Sequence, residues 1–346
     1  MLPLWFGRPQ KGTCLDLSLI TSLYRAEAHL PGYCQHVLET AAEAAAAGLA
    51  LEIVIVANDA TGAERSAIEA LAAAAQAAGT VQITPLVVAR ETLYASWNRG
   101  VRAASGSGLG FWNVDDVRFP GALIEGAQRL AEGCALIYFP FQIITLRRWP
   151  GGLTTRRTEH YPARPFDREA FERASLTGPF FLFARSLYET VGPFDEHFRI
   201  AGDYEWLVRA GQITSFCAGS SLGGRFIQHG RNLSGSGDPR QDVEDNIIQM
   251  RLGAWERVHP ARPDLMQQCW QDWGSQGRTA PPDVAERLWG AGADTRWQDW
   301  LRARRRARRR VQLSEAARRL PRFVIDHTGL RPALARLGIV KSAGSQ

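Results

Sequence analysis

The segment Leu51-Glu-Ile-Val-Ile-Val-Ala57 limits what the chain can become more than any other stretch. Its side chains are apolar and β-branched almost without interruption, and it lacks the polar alternation of a strand with one wet face. Such a run is buried on both faces, as strands are in the middle of a parallel sheet. Ala-rich stretches with helical spacing flank it, Glu27–Ala47 before and Ala63–Ala78 after. Strand-like runs recur at Leu15–Ser22, Val81–Val88 and Leu109–Val114. Helical patterns cover Tyr94–Ala104 and Gly121–Glu132, with Pro120 standing where the second would begin. The apolar run Ala135–Leu146 follows. Strand and helix alternating over short connections predict an α/β fold: an open, mostly parallel sheet with helices on both faces. In such sheets ligands bind beyond the carboxyl ends of the strands. Asn58–Asp59 and Asn113–Asp116 each fall directly after a strand.

The alternation ends further on. Gly151–Phe166 contains Gly151, Gly152, Pro162 and Pro165 together with Arg156, Arg157, His160 and Arg164, and reads as a long loop. From Phe171 the elements shorten, and Gln241–Val258 has a helical pattern. Residues 259–300 mix Pro, Gly and many Trp, and Arg302–Arg310 is a basic run broken only by Ala303 and Ala307. Residues 1–255 therefore read as the α/β domain and 256–346 as a helical, basic C-terminal extension. No repeat of fixed period is present.

Charge follows the same division. The formal net charge is +6, but residues 302–346 carry +11 and residues 1–301 carry −5. The basic pI near 9.3 thus belongs to the tail. A nucleic-acid partner is not expected, since no recognised binding module accompanies the Arg run. Arg302–Arg310 followed by the mixed segment Leu313–Val340 suits the surface of an anionic membrane. A solvated charged helix or a docking segment reads equally from the same residues. The five cysteines, Cys14, Cys34, Cys134, Cys217 and Cys269, are odd in number and widely spaced, without a zinc-type cluster. Reduced thiols are the expectation. Met1–Lys11 has no signal-peptide pattern, and no window approaches the ~20 apolar residues of a membrane helix. The expected location is the cytoplasm, with a peripheral contact to the inner face of the plasma membrane through the tail.

Three segments carry chemistry. In Gly110-Phe-Trp-Asn-Val-Asp-Asp-Val-Arg-Phe-Pro120 an apolar strand ends abruptly in Asn113, Asp115 and Asp116. Adjacent carboxylates repel, and a hard cation such as Mg2+ relieves them while holding substrate phosphates. A solvated turn with a capping Asp reads from the same residues. Asp203, at the start of a helix containing Trp206, Leu207 and Ala210, is either an N-cap or a cleft carboxylate acting as a base. Asp59 and Thr61, after the buried strand, form either a turn or a hydrogen-bonding site for a base or ribose.

Taken in order, these segments resemble family 2 glycosyltransferases, over about Leu15 to Ser234. Leu17-Ser-Leu-Ile-Thr-Ser-Leu-Tyr-Arg25 is similar to that family's first strand and nucleotide loop. Asn58-Asp-Ala-Thr61 is similar to its Asp-Asp-Gly-Ser element, and Trp97-Asn-Arg-Gly-Val-Arg-Ala-Ala-Ser-Gly106 to its Arg-Asn-x-Gly helix. Asn113-Val-Asp-Asp116 falls at its DxD-type metal motif. Gly192-Pro-Phe-Asp-Glu196 with Gly202-Asp-Tyr-Glu-Trp206 resembles the segment bearing its catalytic base, and Phe226-Ile-Gln-His-Gly-Arg-Asn-Leu-Ser234 its site-closing segment.

The resemblance implies a GT-A, Rossmann-like sheet and an inverting, nucleotide-sugar-dependent enzyme of cell-surface polysaccharide or lipopolysaccharide synthesis, with a glycan or lipid-linked acceptor. It implies donor contacts from Thr21, Tyr24, Asp59, Asn98, Asn113 and His229. Tyr24 would lie against the base, Asp59 would bond it, and Asn113 would face the ribose. It further implies Mn2+ or Mg2+ at Asp115 with Asp116 nearby, and Asp203 as general base. The acceptor would lie near Gly151–Phe166, where Arg156, Arg157 and Arg164 suit a phosphate or sugar acid or stand as solvated loop cations. Asn58, Asn113 and Gly202 depart from the family's acidic residues. They keep open a non-catalytic nucleotide-sugar or glycan-binding protein. A sugar nucleotidyltransferase is the remaining alternative, though Thr21–Ala28 is not the Gly-rich basic loop of that class.

Overall fold

The computed structural model describes residues 16–149, 152–230 and scattered positions between 232 and 249. The chain divides into two compact units, Met1–Met266 and Gln267–Gln346. Every element below belongs to the first. The expectations for residues 1–11, 259–300, 302–310 and 313–340, and for most of 241–258, fall outside the described residues.

Among the described residues eleven strands and seven helices are defined, alternating over the first part of the chain as the sequence pattern implies. In chain order they begin β1 (Leu17–Leu23), α1 (Leu30–Ala46), β2 (Leu51–Asn58), α2 (Gly62–Ala78), β3 (Gln82–Val88), α3 (Leu93–Ala103) and β4 (Gly108–Phe111). They continue with β5 (Val117–Arg118), α4 (Pro120–Ala131), β6 (Leu136–Tyr138), β7 (Phe141–Trp149) and β8 (Gly152–Tyr161). The last are α5 (Arg168–Arg173), β9 (Phe181–Ala184), α6 (Arg185–Val191), α7 (Gly202–Ile213), β10 (Cys217–Ala218) and β11 (Gly224–Gln228).

The main sheet has seven strands in the order β10-β6-β9-β4-β1-β2-β3. All its pairings are parallel except those of β9, which runs antiparallel to both β4 and β6. Every residue of β2 is buried, as its unbroken apolar run requires. Along β1, Leu17, Leu19 and Leu23 join the core beneath α1, α2 and α4. Ile20 points the other way, toward α3. Helices therefore cover both faces. The chain leaves β1 toward β2 on one side and returns to β4 on the other, so β1 and β4 flank a topological switch point, where such sheets open a ligand crevice.

Close packing of α3 on the sheet depends on Gly100, because a Cβ there would overlap the Cγ2 of Ile20. α2 is fixed at both ends. Thr61 and Glu64 form a reciprocal capping box, and Gly79 closes the helix in the left-handed region with φ 65°.

Two expectations change here. The run Ala135–Leu146 is not one element: β6 ends at Tyr138, and β7 begins at Phe141 in a different sheet. Pro140 stands between them without an N–H, which interrupts a ladder, while its carbonyl accepts from Gly223. Nor is Gly151–Phe166 a loop. Most of it is β8, paired antiparallel with β7 from Phe141–Tyr161 to Trp149–Gly152. Gly152 and Pro162 punctuate the ends of this strand, and Thr154, Thr155, Thr158 and Tyr161 supply β-forming side chains within it. β7 also pairs with β11, and β11 with β5, giving a second sheet ordered β5-β11-β7-β8. β8 is its exposed edge, guarded by Arg156, Arg157 and a register shift opposite Thr145/Leu146.

The thiol expectation also changes. Cys134, just after α4, forms a disulfide with Cys217 of β10, across a sequence separation of 83. Wide spacing hid this pair, because only the parallel pairing of β10 with β6 brings the two together. Cys34 is a free, half-buried thiol.

Replacing Gly100 with Val should force Ile20 and the α3–β1 contact apart, with a loss of about 1–3 kcal/mol in urea unfolding. A variant as stable as the parent would show that α3 does not depend on this close approach.

Candidate active site

The carboxyl ends of β1, β2 and β4 meet at one edge of the main sheet. At the end of β1, Thr21 is fully buried. Its hydroxyl donates to the Trp112 carbonyl at 2.8 Å and stands 2.7 Å from the Tyr33 hydroxyl. Thr21 thus braces β1, α1 and β4 against one another from beneath the cleft. Tyr24 does reach solvent, at 37% exposure. Arg90 lies over its ring at 4.7 Å and Arg25 at 5.6 Å.

The Arg90 loop is held from β2. Asn58 donates through Nδ2 to the Glu91 carbonyl at 2.9 Å, and its Oδ1 accepts from the Glu91 N–H at 2.9 Å. A carboxylate in place of Asn58 could accept but not donate, so this departure from the family pattern has a local reason. The Glu91 carboxylate in turn pairs with Arg99 at 2.8 Å and accepts from Ser96. Asp59 follows in the left-handed region, φ 50°, with its N–H bonded to the Val88 carbonyl and its side chain exposed. Sequence placed Asp59 and Tyr24 at this edge, and both stand open to solvent there.

At the end of β4 the two adjacent carboxylates diverge. Asp116 is 6% exposed; its Oδ2 accepts from Asn113 at 2.9 Å and its Oδ1 from the Ile227 N–H at 3.1 Å. It ties the β4–β5 turn to β11. Burial, then the nearby Asp115 charge, pushes its carboxyl up to about 8. Asp115 turns the other way, its Oδ2 lying 3.0 Å from Nε2 of His229 and 3.2 Å from Nδ2 of Asn232. Asn232 also donates to the Ile227 carbonyl and accepts from the His229 N–H, fixing the turn after β11. Asn113 is committed to Asp116 in this arrangement.

Mn2+ or Mg2+, which the resemblance implies, takes carboxylate oxygens, and Mn2+ accepts imidazole as well. Asp115 and His229 fit that chemistry as donors from the protein. Asp116, with both oxygens accepting hydrogen bonds, serves the turn instead. Among the described residues no group of three His, Cys, Asp or Glu side chains converges as a complete cation site. A metal held by Asp115 and His229 would therefore complete its shell from phosphate oxygens and water.

Asp203 lies in the first turn of α7. Its Oδ1 accepts from the Tyr204 N–H at 2.9 Å and stands 3.3 Å from the Tyr94 hydroxyl, which also donates to the Ile200 carbonyl at 2.8 Å. Burial moves the Asp203 carboxyl from an ordinary 3.8 to about 6, against the lowering effect of these hydrogen bonds. Residue Asp203 nonetheless keeps one flank open to solvent, and water there tempers the rise. Tyr94 opens α3, which follows β3, so Asp203 sits at the same carboxyl edge as Asp59.

Gly202, a further departure, packs under Tyr94: a Cβ there would lie 2.6 Å from the ring. Glu244 holds the approach to α7, its carboxylate accepting from the N–H groups of Arg199, Ile200 and Ala201 at 2.7–3.0 Å. Asn98 is 1% exposed and fully engaged. Its Nδ2 donates to the Phe194 carbonyl and Glu196, and its Oδ1 accepts from the Phe194 N–H and the Tyr188 hydroxyl, all at 2.8–3.0 Å. It fixes the loop before α7 from inside the fold. Sequence reading did not reach Tyr94, Glu244 or Asn232. Tyr94 reads as a helix-face aromatic, Asn232 lies within Phe226–Ser234 without standing out from its neighbours, and Glu244 lies in a segment with no strand-end signal.

The fold and these side chains together define an α/β protein with carboxylates gathered at the carboxyl edge of a mostly parallel sheet. No known protein family and no curated protein matches the chain. Among solved structures it is similar to S. aureus TarS 1–349, at 15% identity and TM-score 0.47, over 74% of this chain and 70% of that one. A form in complex with UDP-GlcNAc gives 15% identity and TM-score 0.48, over 74% of this chain and 71% of that one. The mannosyltransferase PcManGT from Pyrobaculum calidifontis, in complex with GDP-Man and Mn2+, gives 15% identity and TM-score 0.48, over 85% and 86%. All three scores lie below 0.5, so the chain's own geometry carries the functional reading.

Gly202→Ala should push Tyr94 off its position and lower the thermal midpoint by several degrees through overpacking. An unchanged midpoint in a thermal melt would mean that Tyr94 has room to yield.

Proposed function

We propose that the chain is a glycosyltransferase that moves a sugar from a nucleotide-sugar donor to a hydroxyl of a glycan or lipid-linked acceptor, with inversion. The observation that carries this reading is Asp203: a carboxylate raised to about 6, held by Tyr94 at the sheet edge that also bears Asp59 and the Asp115–His229 pair. Asp59 and Tyr24 suit the nucleotide, one as an acceptor for base N–H groups and the other as an aromatic face. Asp115 and His229 would hold Mn2+ or Mg2+, which when bound supplies charge neutralisation for the donor diphosphate.

In the transfer, the acceptor oxygen forms a bond to the anomeric carbon as that carbon's bond to the diphosphate oxygen breaks. The nucleoside diphosphate leaves with the bonding pair. Asp203 takes the acceptor proton, on the face opposite the leaving group, and a base with a pKa near the working pH does this most effectively. The raised value of Asp203 suits that role better than an ordinary Asp would. The local reasons for Asn58 and Gly202, hydrogen bonding to Glu91 and packing under Tyr94, take weight from the non-catalytic alternative.

Asp203→Asn should lower kcat by about a hundredfold to ten-thousandfold while donor binding persists. In the parent, kcat/KM should rise with pH through about 6 and level off above it, because the base must be ionised. The same carboxyl favours folding most below its ordinary 3.8, and that contribution should decline as the pH climbs to about 6. Tyr94→Phe removes a donor to the carboxylate and should move the acid limb of kcat/KM upward. Turnover surviving in the Asn variant would remove Asp203 from the mechanism.

A further inference from the structure

Beside the Asp115–His229 pair stands a second imidazole with no assigned role. His29, at the residue preceding α1, faces His229 with ring centroids 4.9 Å apart and planes 32° from parallel. It makes no capping hydrogen bond to its own helix. Among the described residues its side chain packs on the His229 ring and has no hydrogen bond or ion pair. It is half-buried, so it is neither a core residue nor a freely solvated one. The first turn of α1 carries no acidic side chain that would orient or neutralise it.

Two imidazoles packed together at a tilt need a reason. If both carry protons they repel. An anion in front of the pair supplies the reason, since imidazole N–H groups are donors to phosphate oxygens. His229 already points Nε2 at Asp115, 3.0 Å away. That direction suits the metal side of a diphosphate. His29 lies against the ring of His229 and has no carboxylate partner of its own, which suits the phosphate oxygens themselves. Its backbone is fixed as well: the His29 N–H donates to the Ala26 carbonyl, and its carbonyl accepts from Tyr33. The imidazole is therefore presented from a rigid corner between β1 and α1.

We propose that His29 is a diphosphate-binding residue, which together with His229 forms a paired-imidazole clamp on the phosphates of the nucleotide. This rests on the reading of the cleft as a nucleotide-sugar site. His29 acts on the phosphates alone; Tyr24 and Asp59 hold the base. Loss of His29 thus weakens binding of a nucleoside diphosphate and leaves the bare nucleoside unaffected.

The test is titration calorimetry on the full chain with Mn2+ present, using UDP and GDP and, in parallel, uridine and guanosine. His29→Ala should weaken binding of the preferred diphosphate about tenfold, the loss expected for one charge-assisted hydrogen bond. The matching nucleoside should bind equally to both proteins. His29→Gln, which keeps a donor, should recover part of the loss and guards against a folding defect in the Ala variant. Equal diphosphate affinity in His29→Ala and the parent overturns the clamp while leaving the donor-site reading intact. A parent protein that binds neither diphosphate with Mn2+ overturns both.

Discussion

The side-chain amide of Asn98 joins two parts of the chain 96 residues apart. Its donors and acceptor close on the loop before α7, chiefly the Phe194 backbone, and on Tyr188 of α6. Four residues earlier on the same helix, Tyr94 reaches the Ile200 carbonyl and Asp203. One face of α3 therefore fixes both the approach to α7 and the carboxylate in its first turn. The opposite face presses on the sheet through Gly100 and Ile20. Any movement of α3 would carry Asp203 with it, which is why a buried amide far from solvent governs the position of that carboxylate.

The acidic pair after β4 shows how neighbouring residues of one type take different tasks. Asp116 is drawn inward by Asn113 and the Ile227 N–H, and its carboxyl titrates near 8. Buried Arg118, lowered to about 10 by burial, donates to the Phe111 and Pro179 carbonyls and lends Asp116 its positive field. Asp115 remains at the surface of the cleft, facing His229. Division of this kind needs the second sheet: β11 delivers both the N–H that anchors Asp116 and the turn that presents His229.

Much of this was legible in the sequence, and the limits have physical causes. The parallel strands announced themselves because burial on both faces leaves a continuous apolar signal, as in β2. Asp59, Asp115 and Asp203 stood out because each follows or opens an element abruptly. Thr21 and Asn98 also lie in the resembling segments, but a local motif does not say whether a polar group faces the cleft or the interior. β8 was hidden because its two faces are exposed and its charged residues resemble a loop's. Glu244 was hidden because capping three consecutive N–H groups at a distance of more than 40 residues leaves no local pattern. The Cys134–Cys217 bond depends on strand order, which spacing does not encode.

That bond also divides the site by topology. The ring it closes, residues 134 to 217, contains β7, β8, β9 and Asp203, whereas Tyr24, Asp59, Asp115 and His229 lie on the chain outside it. The part that bears Asp203 is a covalent loop inserted into the part that bears Tyr24, Asp59, Asp115 and His229. A single cut in the exposed β8 strand would open this loop without releasing a fragment, because both new ends would remain tethered through sulfur to the same molecule.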